Sequence, residues 1–215
     1  RSCLVGSEMC IRDRFLSFFN KFFKKDNSKK VNKPKQSKFL PPKKAVIEER
    51  FISKFVNNGG KFLYCETYSE IRYNFDQILS ENGWLEDDVL LLNNNLIKDY
   101  ELQIKYSSNL DNSKCFITDC ENLIASDGSI LISSNQILEK KIDEFPNNFI
   151  VITDTTKLKN TLSEGLSEIK SRKEEIPSNI TSIKNFNSAQ TNVNFLSHGS
   201  TMKNLYLLML EKGIN

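Results

Sequence analysis

The stretch "ENLIASDGSILISS" (121–134) sets two apolar runs on either side of Asp127-Gly128. That dipeptide readily supplies the two positive-φ positions of a type I′ turn, so the stretch predicts a β-hairpin. Working outward, "NFIVITD" (148–154) follows Pro146 as a strand, and "DVLLLN" (88–93) is apolar nearly throughout. A continuous apolar run of this length suits a strand covered on both faces rather than one half in water.

Between these runs the spacing turns helical. Val46, Ile47, Phe51 and Phe55 recur at helical intervals over Ala45–Asn58 and stop at Gly59-Gly60, a C-terminal signal. "KFLYCE" (61–66) reads as a strand. Thr67 with Glu70 forms a capping box before a helix with Ile71, Phe75, Ile78 and Leu79 on one face, ending at Gly83. Beyond the hairpin, Thr155 or Thr156 is placed to cap a helix carrying Leu158, Leu162, Leu166 and Ile169. "NITSIKN" (179–185) and "NLYLLMLE" (204–211) complete the strands. Strands alternating with helices need crossover connections, so the expected fold class is α/β, a mostly parallel sheet flanked by helices with an inserted β-hairpin.

The amino-terminal region differs in kind. Phe15, Phe18, Phe19, Phe22 and Phe23 fall on one stripe of an amphipathic helix over 15–25, which could meet an anionic membrane surface, a partner or its own domain. Residues 26–44 are rich in Lys, Pro, Ser and Asn and read as a basic disordered linker. The α/β domain is expected over 45–215. Residues 1–14 lack periodicity, and "LVGSEMCIRD" resembles a translated sequencing-adapter scar, so this segment is expected to be an artefact outside the fold.

Charge narrows the functional classes. Of the net +3, Phe15 to Lys44 contributes +9 and the residues before it +1, which leaves −7 from Ala45 onward. An acidic body lacks the basic face that phosphate contact needs, so no nucleic-acid partner is expected. The domain's cysteines, Cys65, Cys115 and Cys120, are odd in number and lack CxxC spacing. This fits a reducing compartment, hence a cytoplasmic location, and small buried hydrophobes rather than metal ligands. No phosphate-binding loop, nucleophile elbow, zinc-protease motif or dinucleotide fingerprint is present.

In an open parallel sheet, ligands bind at the carboxyl ends of strands, so the polar segments between elements supply the candidate site. Ser126, Asp127, Gly128 and Ser129 combine a carboxylate, hydroxyls and turn amides able to contact a phosphate or hydroxylated ligand, although turn formation alone would also select them. Ser188 and Thr191 lie in "FNSAQTN" (186–192), a hydroxyl- and amide-rich loop. His198 and Gly199 lie just before the last strand, and His198 is the only histidine. A lone histidine needs partners before it can act as acid, base or metal ligand, and no metal site is expected.

Taken in order, "LIASDGSILISS", "PNNFIVIT", the Leu-rich helix, "ITSIKNFNSAQTN" and "SHGSTMKNLYLLMLE" resemble the C-terminal half of lactate-utilisation domain (LUD) proteins. The likeness is greatest to the lactate-utilisation protein C type of Bacteroidetes-like bacteria. It implies the sheet shared by ribose-5-phosphate isomerase, glucosamine-6-phosphate deaminase and CoA transferases. It further implies an accessory part in oxidising L-lactate to pyruvate, beside iron–sulfur oxidoreductase subunits that carry the electrons, with no cofactor in this chain. The family's A-E-T-G becomes Ala125-Ser126-Asp127-Gly128, so the carboxylate that covalent acyl transfer would need is displaced by one residue. His198-Gly199 is kept, with Ser200 where the family usually has proline. Two alternatives stay open: a small-molecule-binding enzyme of the CoA-transferase or sugar-phosphate type, and a membrane-associated scaffold using residues 15–25.

Overall fold

The computed structural model describes residues 46–102, 106–107, 109–110, 112–172, 176–186 and 203–212. The Phe-rich segment 15–25, the linker 26–44 and residues 1–14 lie outside these. Helix α1 (Ile47–Asn57) buries Phe51, Ile52 and Phe55 and ends in Gly59, whose φ of +91° only glycine adopts readily. Strand β1 (Lys61–Cys65) follows, then α2 (Tyr68–Asn82). The Thr67 side chain accepts from the Glu70 amide, and the Glu70 carboxylate accepts from the amide of Glu66. Ile71, Phe75, Ile78 and Leu79 are buried as their spacing predicts, and Gly83 closes the helix at φ +64°.

The remaining elements are β2 (Val89–Leu91), α3 (Asn95–Asp99), β3 (Cys115–Thr118), β4 (Asn122–Ile124), β5 (Ser129–Ser133), α4 (Ser134–Ile137), β6 (Asn148–Asp154), β7 (Leu158–Lys159), α5 (Leu162–Ser171), β8 (Ile180–Ile183) and β9 (Asn204–Leu210). The main sheet has the order β1-β9-β6-β3-β2 with every pair parallel. Its central strands β6 and β9 are buried nearly end to end. Such strands must be apolar on both faces, and their sequences are. The architecture is the expected α/β fold.

Three local expectations are corrected. The helix after β6 begins at Leu162 rather than near Thr156, because Thr161 with Glu164 is the working capping box: Thr161 Oγ1 accepts from the Glu164 amide, and Glu164 accepts from the amide of Asn160. Leu158 therefore sits in β7. Second, the hairpin connection is not a two-residue type I′ turn. Ile124 pairs with Ser129, so four residues form the loop, and only Gly128 has positive φ, +74°. The Gly128 amide donates to Ile124 O at 2.8 Å, and the loop seats so tightly on α1 that a Cβ on Gly128 would stand 2.5 Å from the Phe55 nitrogen. A type I′ turn would need positive φ at Asp127 as well. Third, β8 leaves the parallel sheet and pairs antiparallel with β5, so the hairpin is the centre of a separate four-stranded sheet, β7-β4-β5-β8. The hairpin was legible but not its partners.

Topology fixes where a ligand would sit. From β1 the chain crosses to β2 at the far edge and then returns inward through β3 and β6 to β9. Right-handed connections taken in opposite directions lie on opposite faces of the sheet. Accordingly α2 covers the face that carries Cys65 and Tyr206, through Asn74 to Cys65 Sγ and Asn82 to the Tyr206 hydroxyl. The opposite face carries Phe116 and Phe149, which pack with Phe145. The two directions part at the carboxyl end of β9, between β1 and β6.

Candidate functional site at the carboxyl ends of the strands

At that point the chain concentrates polar side chains on rigid supports. Lys212, two residues past β9, pairs with Asp154 at 3.2 Å, while its own carbonyl accepts from Thr155 Oγ1 at 2.6 Å. Asp154 also accepts from the amide and hydroxyl of Thr156. Burial opposes its charge, but these hydrogen bonds and Lys212 outweigh it and hold the carboxyl below its usual range. The Lys212 ammonium stands 5.6 Å from the centre of the Tyr100 ring, and Tyr100 meets Tyr68 edge-on at 6.4 Å. Tyr68, Ser69, Arg72 and Glu101 line a cavity of about 360 Å³ beside this cluster.

The end of β3 contributes Asp119 and Cys120. Cys120 Sγ contacts Thr153 Oγ1 at 3.4 Å, and burial pushes the thiol up to about 12. Burial likewise raises the Asp119 carboxyl, against a hydrogen bond from Gln136 and the field of Lys157; its Oδ1 is buried with no hydrogen-bond partner among the described residues. Next to it Glu121, 2% exposed, accepts from Ser133 Oγ at 2.6 Å and Asn135 Nδ2 at 2.8 Å, and pairs with Arg172. These partners overcome the burial penalty and hold Glu121 low. Gln136 Oε1 accepts from the Ser133 amide at 2.9 Å, while the single Ser133 hydroxyl proton goes to Glu121 over the shorter contact, so the Gln136 amino group is the part left to serve Asp119. A connected polar network thus runs from Arg172 to Asp119 (Arg172–Glu121–Ser133–Gln136–Asp119).

The turn singled out from sequence lies elsewhere. Ser126 is exposed, and Asp127 spends its carboxylate on the Ser129 amide at 3.1 Å and hydroxyl at 2.8 Å. The Asp127 carbonyl accepts from Asn58 Nδ2 at 2.8 Å, which ties the turn to the segment leading into the amino end of β1. Gly128 and Ser129 are buried there. Ser188, Thr191, His198 and Gly199 lie outside the described residues. Asp119, Gln136, Asp154, Lys157 and Lys212 were not singled out from sequence. The signal existed for two of them, since Asp154 ends the "NFIVITD" strand and Lys157 lies three residues beyond it. Among the described residues no group of three His, Cys, Asp or Glu side chains could hold a metal ion. None of the described helices is long and apolar enough to cross a membrane.

Comparison with known proteins agrees with this architecture. No curated protein matches the chain. A crystal structure of a DUF162 family protein from Deinococcus radiodurans superposes with a TM-score of 0.53 at 13% identity, covering 77% of this chain and 96% of that one. At that identity the likeness is one of fold. The LUD domain family matches residues 48–210, which span β1 through β9 of the main sheet. The chain therefore belongs to the LUD-domain family, which is associated with lactate utilisation in general.

Proposed function

We propose that the protein is an accessory, non-redox component of a system that oxidises L-lactate to pyruvate, of the lactate-utilisation protein C type, working in the cytoplasm beside iron–sulfur oxidoreductase subunits. The observation that carries this reading is the family match across 48–210, the whole of the parallel sheet and its carboxyl-end cluster apart from Lys212. The cysteines support the division of labour. Cys65, Cys115 and Cys120 are all buried, and burial pushes the thiols of Cys115 and Cys120 up to about 12. A thiol held protonated in apolar surroundings is a poor cluster ligand, so in this reading the electrons travel through the partner subunits. What this chain contributes is a polar, well-supported rim where a ligand or a partner can be held.

The test is genetic and biochemical together. Deleting the gene should abolish growth on L-lactate and spare growth on pyruvate, and the tagged protein should co-purify with iron–sulfur subunits. Normal growth of the deletion strain on L-lactate would refute the reading.

A further inference from the structure

Every phenylalanine among the described residues is buried in the domain. Five others, Phe15, Phe18, Phe19, Phe22 and Phe23, stand ahead of it in the sequence. At α-helical spacing these five fall on an arc of about 140°. Lys24 falls opposite the middle of that arc, and Lys21 and Lys25 fall along one flank. So wide an apolar stripe needs a cover, and the charges beside it say of what kind.

Those charges are of one sign. Residues 15–44 hold ten lysines against Asp26 alone, a net +9, whereas the chain from residue 45 onward carries −7. A discrete protein groove fixes register with charges of both signs, while a tract of one sign suits a diffuse negative surface. Lasting attachment to a bilayer takes two signals, and an apolar element beside a polybasic run supplies both. The apolar run 15–23 is nine residues long and broken by Asn20 and Lys21, well short of the roughly 20 that cross a bilayer. Its place is along the surface.

We infer that residues 15–44 dock the protein peripherally on an anionic lipid bilayer, the Phe stripe seated at the boundary of headgroups and acyl chains and the lysines held by acidic headgroups. The acidic domain is repelled by the same surface, which is why the basic charge is gathered ahead of it. As a flexible chain the nineteen residues of 26–44 span about 24 Å, enough to hold the domain beyond a Debye length of about 8 Å. This contact is independent of the part proposed in lactate oxidation.

The test sediments the full chain with vesicles of phosphatidylcholine alone, or with about one third phosphatidylglycerol. Two variants accompany it: Phe19→Ser with Phe22→Ser, and Lys24, Lys25, Lys29 and Lys30 all changed to Gln. All six positions precede the family's matched residues 48–210, and thermal unfolding checks that the domain stays folded. The anionic vesicles should bind the chain at least about tenfold more tightly than the neutral ones, each variant should lose about tenfold or more, and raising salt from about 0.1 M to about 0.5 M should release the protein. Equal binding to both vesicles, no binding to the anionic ones, or unchanged binding in either folded variant would overturn the inference. A Phe variant that lowers the unfolding midpoint while the parent chain ignores vesicles would overturn it too, and would assign the stripe to the protein's own domain.

Discussion

Arg172, the residue that caps α5, reaches across to the buried carboxylate of Glu121 at the open end of the hairpin. Glu121 sits one residue before β4, and its amide donates to Leu131 of β5 at 2.8 Å. This ion pair therefore fastens α5 to the short connection between β3 and β4 that carries Asp119. A second contact from Arg172 to Glu168, at 3.3 Å, and one from Glu168 to Lys159, at 2.9 Å, extend it along α5.

Removing one partner of that pair leaves a buried charge behind. Arg172→Met should destabilise the domain by about 2 kcal/mol, below the usual range for a fully buried pair because Ser133 and Asn135 still serve Glu121 and Arg172 is itself partly exposed. Urea unfolding measures it. A loss under roughly 0.5 kcal/mol would mean that the pair behaves as a surface bridge.

The carboxylates predict a pH dependence with two signs. Glu121, Glu168 and Asp154 are held below their ordinary values of 4.5, 4.5 and 3.8, so the stability they contribute is present above those values and is lost as pH falls through the lower folded values. Asp119 is raised above 3.8, so its contribution is present below that value and is lost as pH rises through its folded value. The urea midpoint of Asp119→Asn, relative to the parent protein, should therefore increase between pH 3.5 and 7. A difference that does not change with pH would show that Asp119 is not desolvated.

Two glycines with similar φ should respond very differently to alanine. Gly83, at +64°, has nothing within 4 Å of a new Cβ, so Gly83→Ala should cost about 1 kcal/mol, from backbone conformation alone. Gly128, at +74°, would drive a Cβ to 2.5 Å from the Phe55 nitrogen and 2.6 Å from the Lys54 carbonyl carbon. Backbone cannot yield as a side chain can, so Gly128→Ala should cost about 3 kcal/mol or more. Equal losses would mean that the hairpin loop does not seat on α1 as described.

Lys203 tests the amino end of the central strands. It is 2% exposed and donates to Phe145 O at 2.8 Å and Pro146 O at 3.2 Å, over the Phe149 ring. Lys203→Met supplies similar bulk but no donor, so it should cost about 1 to 3 kcal/mol through the stranded carbonyls. Thermal unfolding reads this directly, and an unchanged midpoint would contradict it.

How far the sequence could be read depended on the range of the interactions involved. The capping box at Thr67, the stop at Gly83 and the central strand "NFIVITD" are written within a few residues and appear where expected. Local sequence does not separate Thr161 from Thr155 and Thr156, which offer the same chemistry a few residues earlier, and only the pairing of Leu158 with Leu123 decides between them. Strand β3 is not legible locally, because "CFIT" is four residues long and gains its identity from parallel neighbours on both sides. The carboxyl-end cluster escaped for a similar reason. Asp119, Gln136 and Lys157 are distant in sequence, and only strand order brings them to one rim. By contrast, Ser126 to Ser129 stand out locally because turns select those residue types, and in the fold their hydrogen bonds serve the turn.

Growth of a deletion strain on L-lactate as sole carbon source tests the proposed part in L-lactate oxidation. The strain should fail to grow on L-lactate, grow normally on pyruvate, and recover when the intact gene is returned. Growth on L-lactate at the parental rate without the gene would contradict it.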